Sequence, residues 1–215
     1  MSHIAPLRFA LSALAVFGLS ACAANTYTGP VEVTRFIGSQ PAGLGQGTIA
    51  LRFSEELENE AALDAFRGAI SDELSLLGYT VIANEEIADQ IATISTSRTS
   101  IPAAEGSDPV NVGVGGSTGS FGSGVGVGVG INLGGNRDRS PRVISELSVA
   151  IASNTNDTNR QNLWEARAQF PTSVNSPYAP VAVNARTLAA AVFKDFPAGS
   201  GDTVSIDVDE LVEQP

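Results

Sequence analysis

The only cysteine of this chain, Cys22, stands behind an apolar run and two small residues, and that placement restricts how everything after it can fold. Residues 1–21 read as an export signal: a polar start carrying Arg8, an apolar run over residues 9–19, then Ser20 and Ala21. The run is shorter than the roughly 20 apolar residues of a membrane-spanning helix. Leu19-Ser20-Ala21-Cys22 has the form of a lipobox, with cleavage between Ala21 and Cys22 and acylation of Cys22 by chains such as palmitate. A plain secretory signal with an incidental cysteine is the competing reading. Two or more acyl chains anchor a protein stably, whereas one gives marginal binding. Once Cys22 is acylated no thiol remains, so the domain must be held by its apolar core without disulfides.

The chemical inventory is thin. His3 is the only histidine and leaves with the signal, and Lys194 is the only lysine. Ser-His-Asp and Cys-His machinery and His-rich zinc sites are thereby excluded. Paired carboxylates remain, with Glu165 and Asp195 as examples, although Glu165 reads more simply as the solvent side of a strand. The sequence therefore predicts no catalytic residue, no metal and no cofactor. The formal charge is −11, and loss of the signal removes Arg8 but no acidic residue. This balance opposes nucleic acid and anionic lipid surfaces as partners.

Residues 22–30 are expected to form a lipidated tether, ahead of one domain over residues 31–197. Val31, Val33, Arg35 and Ile37 alternate with Glu32, Thr34 and Phe36, an ambiguous strand pattern. After a turn-rich stretch over residues 38–47, Ile49, Leu51 and Phe53 alternate with Thr48, Ala50 and Arg52 as a half-buried strand. Ser54 offers a helix N-cap, with Glu55 and Glu56 near the positive end of the dipole. Leu63, Phe66, Ile70, Leu74 and Leu77 form one apolar stripe, and Gly78 supplies the stop. A short strand over residues 79–82, a solvated turn at Glu85-Glu86, and a Thr/Ser/Ile-rich strand over residues 91–101 follow, ended by Pro102.

Residues 110–136 are a Gly/Val-rich insertion, in which Val125, Val127, Val129 and Ile131 share one face of any strand that forms. They contain no G-x-G-x-x-G or Gly-Lys pair, so a phosphate cradle is excluded. A self-associating or membrane-active glycine hairpin and a flexible insertion both remain open. Arg137, Arg139 and Arg142 form the only basic cluster. Val143, Leu147, Val149 and Ile151, then Trp164, Ala166, Ala168 and Phe170, mark the buried faces of two strands joined by turn-type residues 154–159. That turn lacks the Gly and terminal Glu of a calcium loop. After a loop over residues 171–180, Ala185, Leu188, Ala189, Val192 and Phe196 space out a second helix, stopped by Pro197. Lys194 lies near its C-terminal end, favourable for the dipole. Residues 198–215 form an acidic tail or an edge strand through Val204, Ile206 and Val208.

These elements add up to an α+β fold: a mostly antiparallel sheet, two amphipathic helices packed on one face, and the Gly/Val insertion. Gly78-Tyr79, Ala88-Asp89, the glycine-rich insertion, Trp164-Glu165-Ala166 and Phe196-Pro197 occur in an order that resembles a family of bacterial lipoproteins, domain of unknown function 4136. The likeness spans residues 31–197. Ala166 stands where the family usually has Gly, and the tail lies beyond the match. Ala23 after the lipidated cysteine resembles the sorting position of outer-membrane lipoproteins. The resemblance implies a lipid-anchored domain on the periplasmic side of the outer membrane, with no established catalytic residues. Its partners are expected to be the membrane, through the anchor, and envelope proteins. A carrier or sensor of an apolar ligand, and self-assembly through the Gly/Val segment, are the alternatives.

Overall fold

The computed structural model of the 215-residue chain describes residues 26–39, 41–54, 59–102, 141–155, 162–199 and 201–212. Ala21, Cys22 and the 110–136 insertion lie outside the described residues. In chain order the elements are β1 (Val31–Ile37), β2 (Thr48–Phe53), α1 (Glu60–Leu76), β3 (Thr80–Ile82), a 3-10 turn (Glu85–Ile87), β4 (Gln90–Ile101), β5 (Arg142–Ser153), β6 (Asn162–Ser173), α2 (Val181–Phe193), β7 (Thr203–Ile206) and α3 (Asp209–Val212).

The strands form one seven-stranded sheet in the order β3-β2-β4-β5-β6-β1-β7. It is mixed, which corrects the expectation of a mostly antiparallel sheet. From β4 to β7 neighbours are antiparallel, but β2 pairs parallel with both β3 and β4. Parallel neighbours require a crossover, and α1 supplies the one between β2 and β3. The Glu85–Ile87 turn carries the other: it spans β2 on the sheet face away from the helices, so β4 lands on the far side of β2. Arg52 of β2 holds that turn, its Nε donating to Glu85 Oε2 at 2.9 Å. Ala50, Ala88 and Ile91 form a small apolar cluster beside it. Glu85 is therefore an anchored residue, where a solvated turn was expected.

β4 runs past β2. Their pairing stops at Phe53 opposite Ile94, while β4 continues beside β5 to Ile101. Residues 97–100 of that overhang are exposed.

Helix α1 starts later than Ser54. Asn59 is its N-cap, with Oδ1 accepting from the backbone N–H groups of Ala61 and Ala62 at 3.0 and 3.3 Å. The Ser54 hydroxyl instead donates to the Ile94 carbonyl. At the other end the Gly78 and Tyr79 N–H groups bond to the Ser75 and Leu74 carbonyls, a Schellman closure with Gly78 at φ 102°. Helix α2 ends at Phe193, short of the expected Phe196, and residues 194–197 turn away from it.

Both helices lie against one sheet face. Phe66, Ile70 and Leu74 of α1 and Leu188, Val192 and Phe193 of α2 pack with Val33, Ile94, Leu147 and Phe170 in one continuous core. Trp164 is fully buried at one end, stacked on Phe193 (ring centroids 5.7 Å) and edge-on to Phe196 (5.0 Å). At the opposite end β6 continues through Pro171 to Ser173, where a loop was expected.

There, residues 27–29 of the expected tether are bonded to the body. Ser173 N–H donates to the Tyr27 carbonyl and Gly29 N–H to the Pro171 carbonyl, at 2.8 and 2.9 Å. Arg142 lies over the Tyr27 ring, 4.4 Å from its centroid. Beyond Pro197, β7 pairs with β1, and α3 returns toward α2.

Candidate functional site

The two carboxylates singled out in the sequence belong to different surroundings. Glu165 is exposed on the helix-free face of β6, where Asn162 Nδ2 donates to it. Asp195 is exposed in the turn after α2, with φ near 60°, a left-handed conformation that Asp tolerates better than most residues. Lys194, expected as a cation favourable beside the helix end, bonds Glu210 of α3 at 3.0 Å. In the 154–159 turn, Asn154 Nδ2 donates to the Glu85 and Ala88 carbonyls, so its amide braces the β3–β4 crossover. Residues 156–159 lie outside the described residues. No three His, Cys, Asp or Glu side chains converge as a metal-binding group among the described residues.

The α2 terminus receives its cation from the sheet. Arg35 shares the helix-facing side of β1 with Val31 and Val33 and is 8% exposed. Its Nε donates to the Val192 carbonyl at 2.9 Å and its Nη2 to the Ala191 carbonyl. Burial pulls the guanidinium pKa below its usual value, and Asp195 acts in the opposite direction. A cation at this negative end of the helix dipole satisfies carbonyls that would otherwise lack partners. The sequence signal was an arginine in phase with two valines on an apolar strand face, and that phase was read only as ambiguity.

On the solvent side of the helices lies a groove of about 310 Å³. Its floor is made of small and apolar side chains, among them Ala69 of α1 and Ala190 of α2. Asp72 and Glu73 form one bank, Arg186 stands on the α2 side, and Val208 and Leu211 bring in the C-terminal segment. Tyr178 also lines it, its ring set edge-on to Phe170 at 6.0 Å. Burial, reinforced by neighbouring Asp72, raises the Glu73 carboxyl above its usual pKa. The groove carries no thiol or imidazole. Its chemistry is that of a contact surface, apolar beneath and charged at the sides. Sequence periodicity assigned Ala69 and Ala190 to no role, and Val208 was read as strand. The signal available for α3 was Asp207 ahead of Asp209, Glu210 and Leu211, an acidic start to a helical turn.

A second polar junction sits at the Trp164 end. Asp89 Oδ2 accepts from the Thr48 backbone N–H and hydroxyl, both at 2.8 Å, and Asp89 N–H donates back to the Thr48 hydroxyl at 2.9 Å. Thr48 thereby holds the Asp89 carboxyl below its usual pKa, through its backbone N–H first and its hydroxyl second. The junction clamps the start of β2 to the residue before β4.

No protein-family model matches the sequence, and no curated protein matches it. Among solved structures the chain is similar to a PDZ domain protein from Parabacteroides distasonis ATCC 8503, at 17% identity over 83% of this chain and 39% of that one, with a TM-score of 0.47. The chain thus spans about two-fifths of that protein's length. It is also similar to PelC from Paraburkholderia phytofirmans, solved as a dodecamer, at 11% identity over 79% of this chain and 99% of that one, TM-score 0.45. A DUF4136 family protein from Bacteroides thetaiotaomicron VPI-5482 matches at 14% identity over 77% of this chain and 95% of that one, TM-score 0.37.

Proposed function

We propose that this chain is a lipid-anchored lipoprotein of the domain-of-unknown-function 4136 type, held at the periplasmic face of the outer membrane. It acts without catalysis, through contacts with envelope proteins. The Leu19-Ser20-Ala21-Cys22 lipobox carries this reading. The absence of imidazole and free thiol from the processed chain supports a binding role over a chemical one, and the groove between α1 and α2 offers a surface for it. The test is envelope fractionation with in-cell crosslinking, comparing the native chain with Cys22→Ser. The native chain should enter the outer-membrane fraction, incorporate labelled palmitate and crosslink to partners that Cys22→Ser loses. Equal membrane retention of Cys22→Ser would remove the proposal.

One observation favours a second reading, a carrier or sensor of an amphiphilic ligand. The groove volume of about 310 Å³ lies at the lower end of the usual range for ligand pockets. Its charged banks would receive a headgroup and its alanine floor a short apolar part. Native mass spectrometry of the purified chain should then show a species heavier than the polypeptide. A spectrum of bare polypeptide alone would eliminate the carrier.

A further inference from the structure

We propose that the Ser173 end of the sheet rests on the lipid surface that holds Cys22, so that the domain is carried in one fixed orientation. This inference depends on the lipid-anchor reading and assigns that anchor a docking face. Only five residue steps separate Cys22 from Tyr27, a span of at most about 18 Å at full extension. Tyr27 itself is not free to extend the reach. Its carbonyl accepts from Ser173 N–H at 2.8 Å, its own N–H donates to Ser173 Oγ at 3.0 Å, and the neighbouring Thr28 and Ser176 hydroxyls bond at 2.7 Å.

The domain is longer than this leash. The twelve residues of β6 extend for roughly 40 Å at about 3.3 Å per residue. The leash therefore holds the Ser173 end at high effective concentration against the bilayer, whereas the Trp164 end is joined to the anchor only through the length of the sheet. The side chains there suit a headgroup layer. Arg142 stacks on Tyr27 at 4.4 Å, an aromatic–cation pair of the kind that interfaces favour. Val174, bonded through its N–H to the Pro141 carbonyl beside Arg142, is 46% exposed. The net negative charge of the chain disfavours spontaneous adsorption, so the contact depends on the tether.

The experiment uses the full lipidated chain, reconstituted in vesicles of phosphatidylethanolamine and phosphatidylglycerol. Acylated Cys22 does not take a thiol label. Single variants Val174→Cys at the proposed face and Ser39→Cys at the far end of β1 would carry an environment-sensitive fluorophore, with a quencher placed at headgroup depth. Unchanged Trp164 emission identifies folded variants, and Asn175→Cys replaces Val174→Cys if the latter fails to fold. Vesicle flotation of the native chain with at least threefold stronger quenching at position 174 (or 175) than at 39 supports the proposal. Flotation with equal quenching, or stronger quenching at 39, overturns the docking face and leaves the anchor intact. Failure of the native chain to float overturns both.

Discussion

The Nε of Arg35 on β1 donates to the Val192 carbonyl of α2 at 2.9 Å, so a sheet residue closes a helix whose own last turn holds no basic residue. The same guanidinium reaches Ala191, which makes it a two-point clamp between layers. Arg35→Met keeps most of the apolar stem but leaves two carbonyls without their donor. It should cost about 2–4 kcal/mol, the range for removing a buried charged hydrogen-bonding group. Arg35→Lys should recover only part of this, because an ammonium lacks the planar fork. Urea unfolding of the three proteins checks the order.

Trp164 is the only tryptophan, fully buried against Phe193, with Nε1 donating to the Ala198 carbonyl at 3.2 Å. The native chain should therefore emit in the blue and shift red on unfolding. Phe193→Ala should lower stability by about 3–5 kcal/mol through the cavity it leaves beneath the indole. Parallel fluorescence and circular-dichroism melts would show whether that loss is global.

Two carboxylates set opposite slopes at acid pH. The raised pKa of Glu73 means that the folded chain binds this proton more tightly than the unfolded one. Its contribution is full below the unfolded value of about 4.3 and is lost as pH rises through the raised folded value. Glu73→Gln should thus raise the urea midpoint at neutral pH and leave it unchanged near pH 4.

Asp89 behaves in the reverse sense. Its lowered pKa gives a contribution present above the unfolded value of about 3.9, which disappears as pH falls through the lower folded one. Asp89→Ala should flatten the acid limb of the stability profile, measured as urea midpoints from pH 5 downward.

Gly78 takes φ 102°, and a Cβ added there would lie 2.7 Å from the Gly45 carbonyl oxygen. Gly78→Ala meets both a disfavoured backbone conformation and a rigid backbone atom. A loss of about 1–3 kcal/mol is expected, with thermal unfolding as the measure.

Local periodicity made much of this fold legible. The stripe from Leu63 to Leu77, its stop at Gly78, and the alternation around Val149 and Trp164 each depend on neighbours in sequence, and each element formed on those residues. The parallel neighbours of β2 were illegible because their cause is tertiary. Three strand residues and a turn held by Arg52 look, in sequence, like half of a hairpin. The true N-cap was missed because Ser54 and Asn59 are both competent caps, and Ser54 is occupied by Ile94 of another strand. Of the groove, its charged residues were visible only as surface composition. Their convergence depends on the packing of α1 beside α2, and the groove is completed by Leu211 of α3, whose four residues carry too little periodicity to announce a helix.

The overhang of β4 beyond Ile94 has a consequence for self-adhesion. Over that stretch β4 is paired with β5 on one side, and no described strand covers the other. A strand edge without a paired neighbour is a template on which a second chain could add a strand. The exposed residues along it are Ser97, Arg98, Thr99 and Ser100, hydrophilic throughout, and Arg98 turns its guanidinium to the Ala179 carbonyl at 2.8 Å. A charged residue at an open strand edge is a common guard against amyloid-like stacking. Arg98→Val would replace that guard with a residue of high strand propensity, and light scattering of the concentrated variant should then rise faster than that of the native chain.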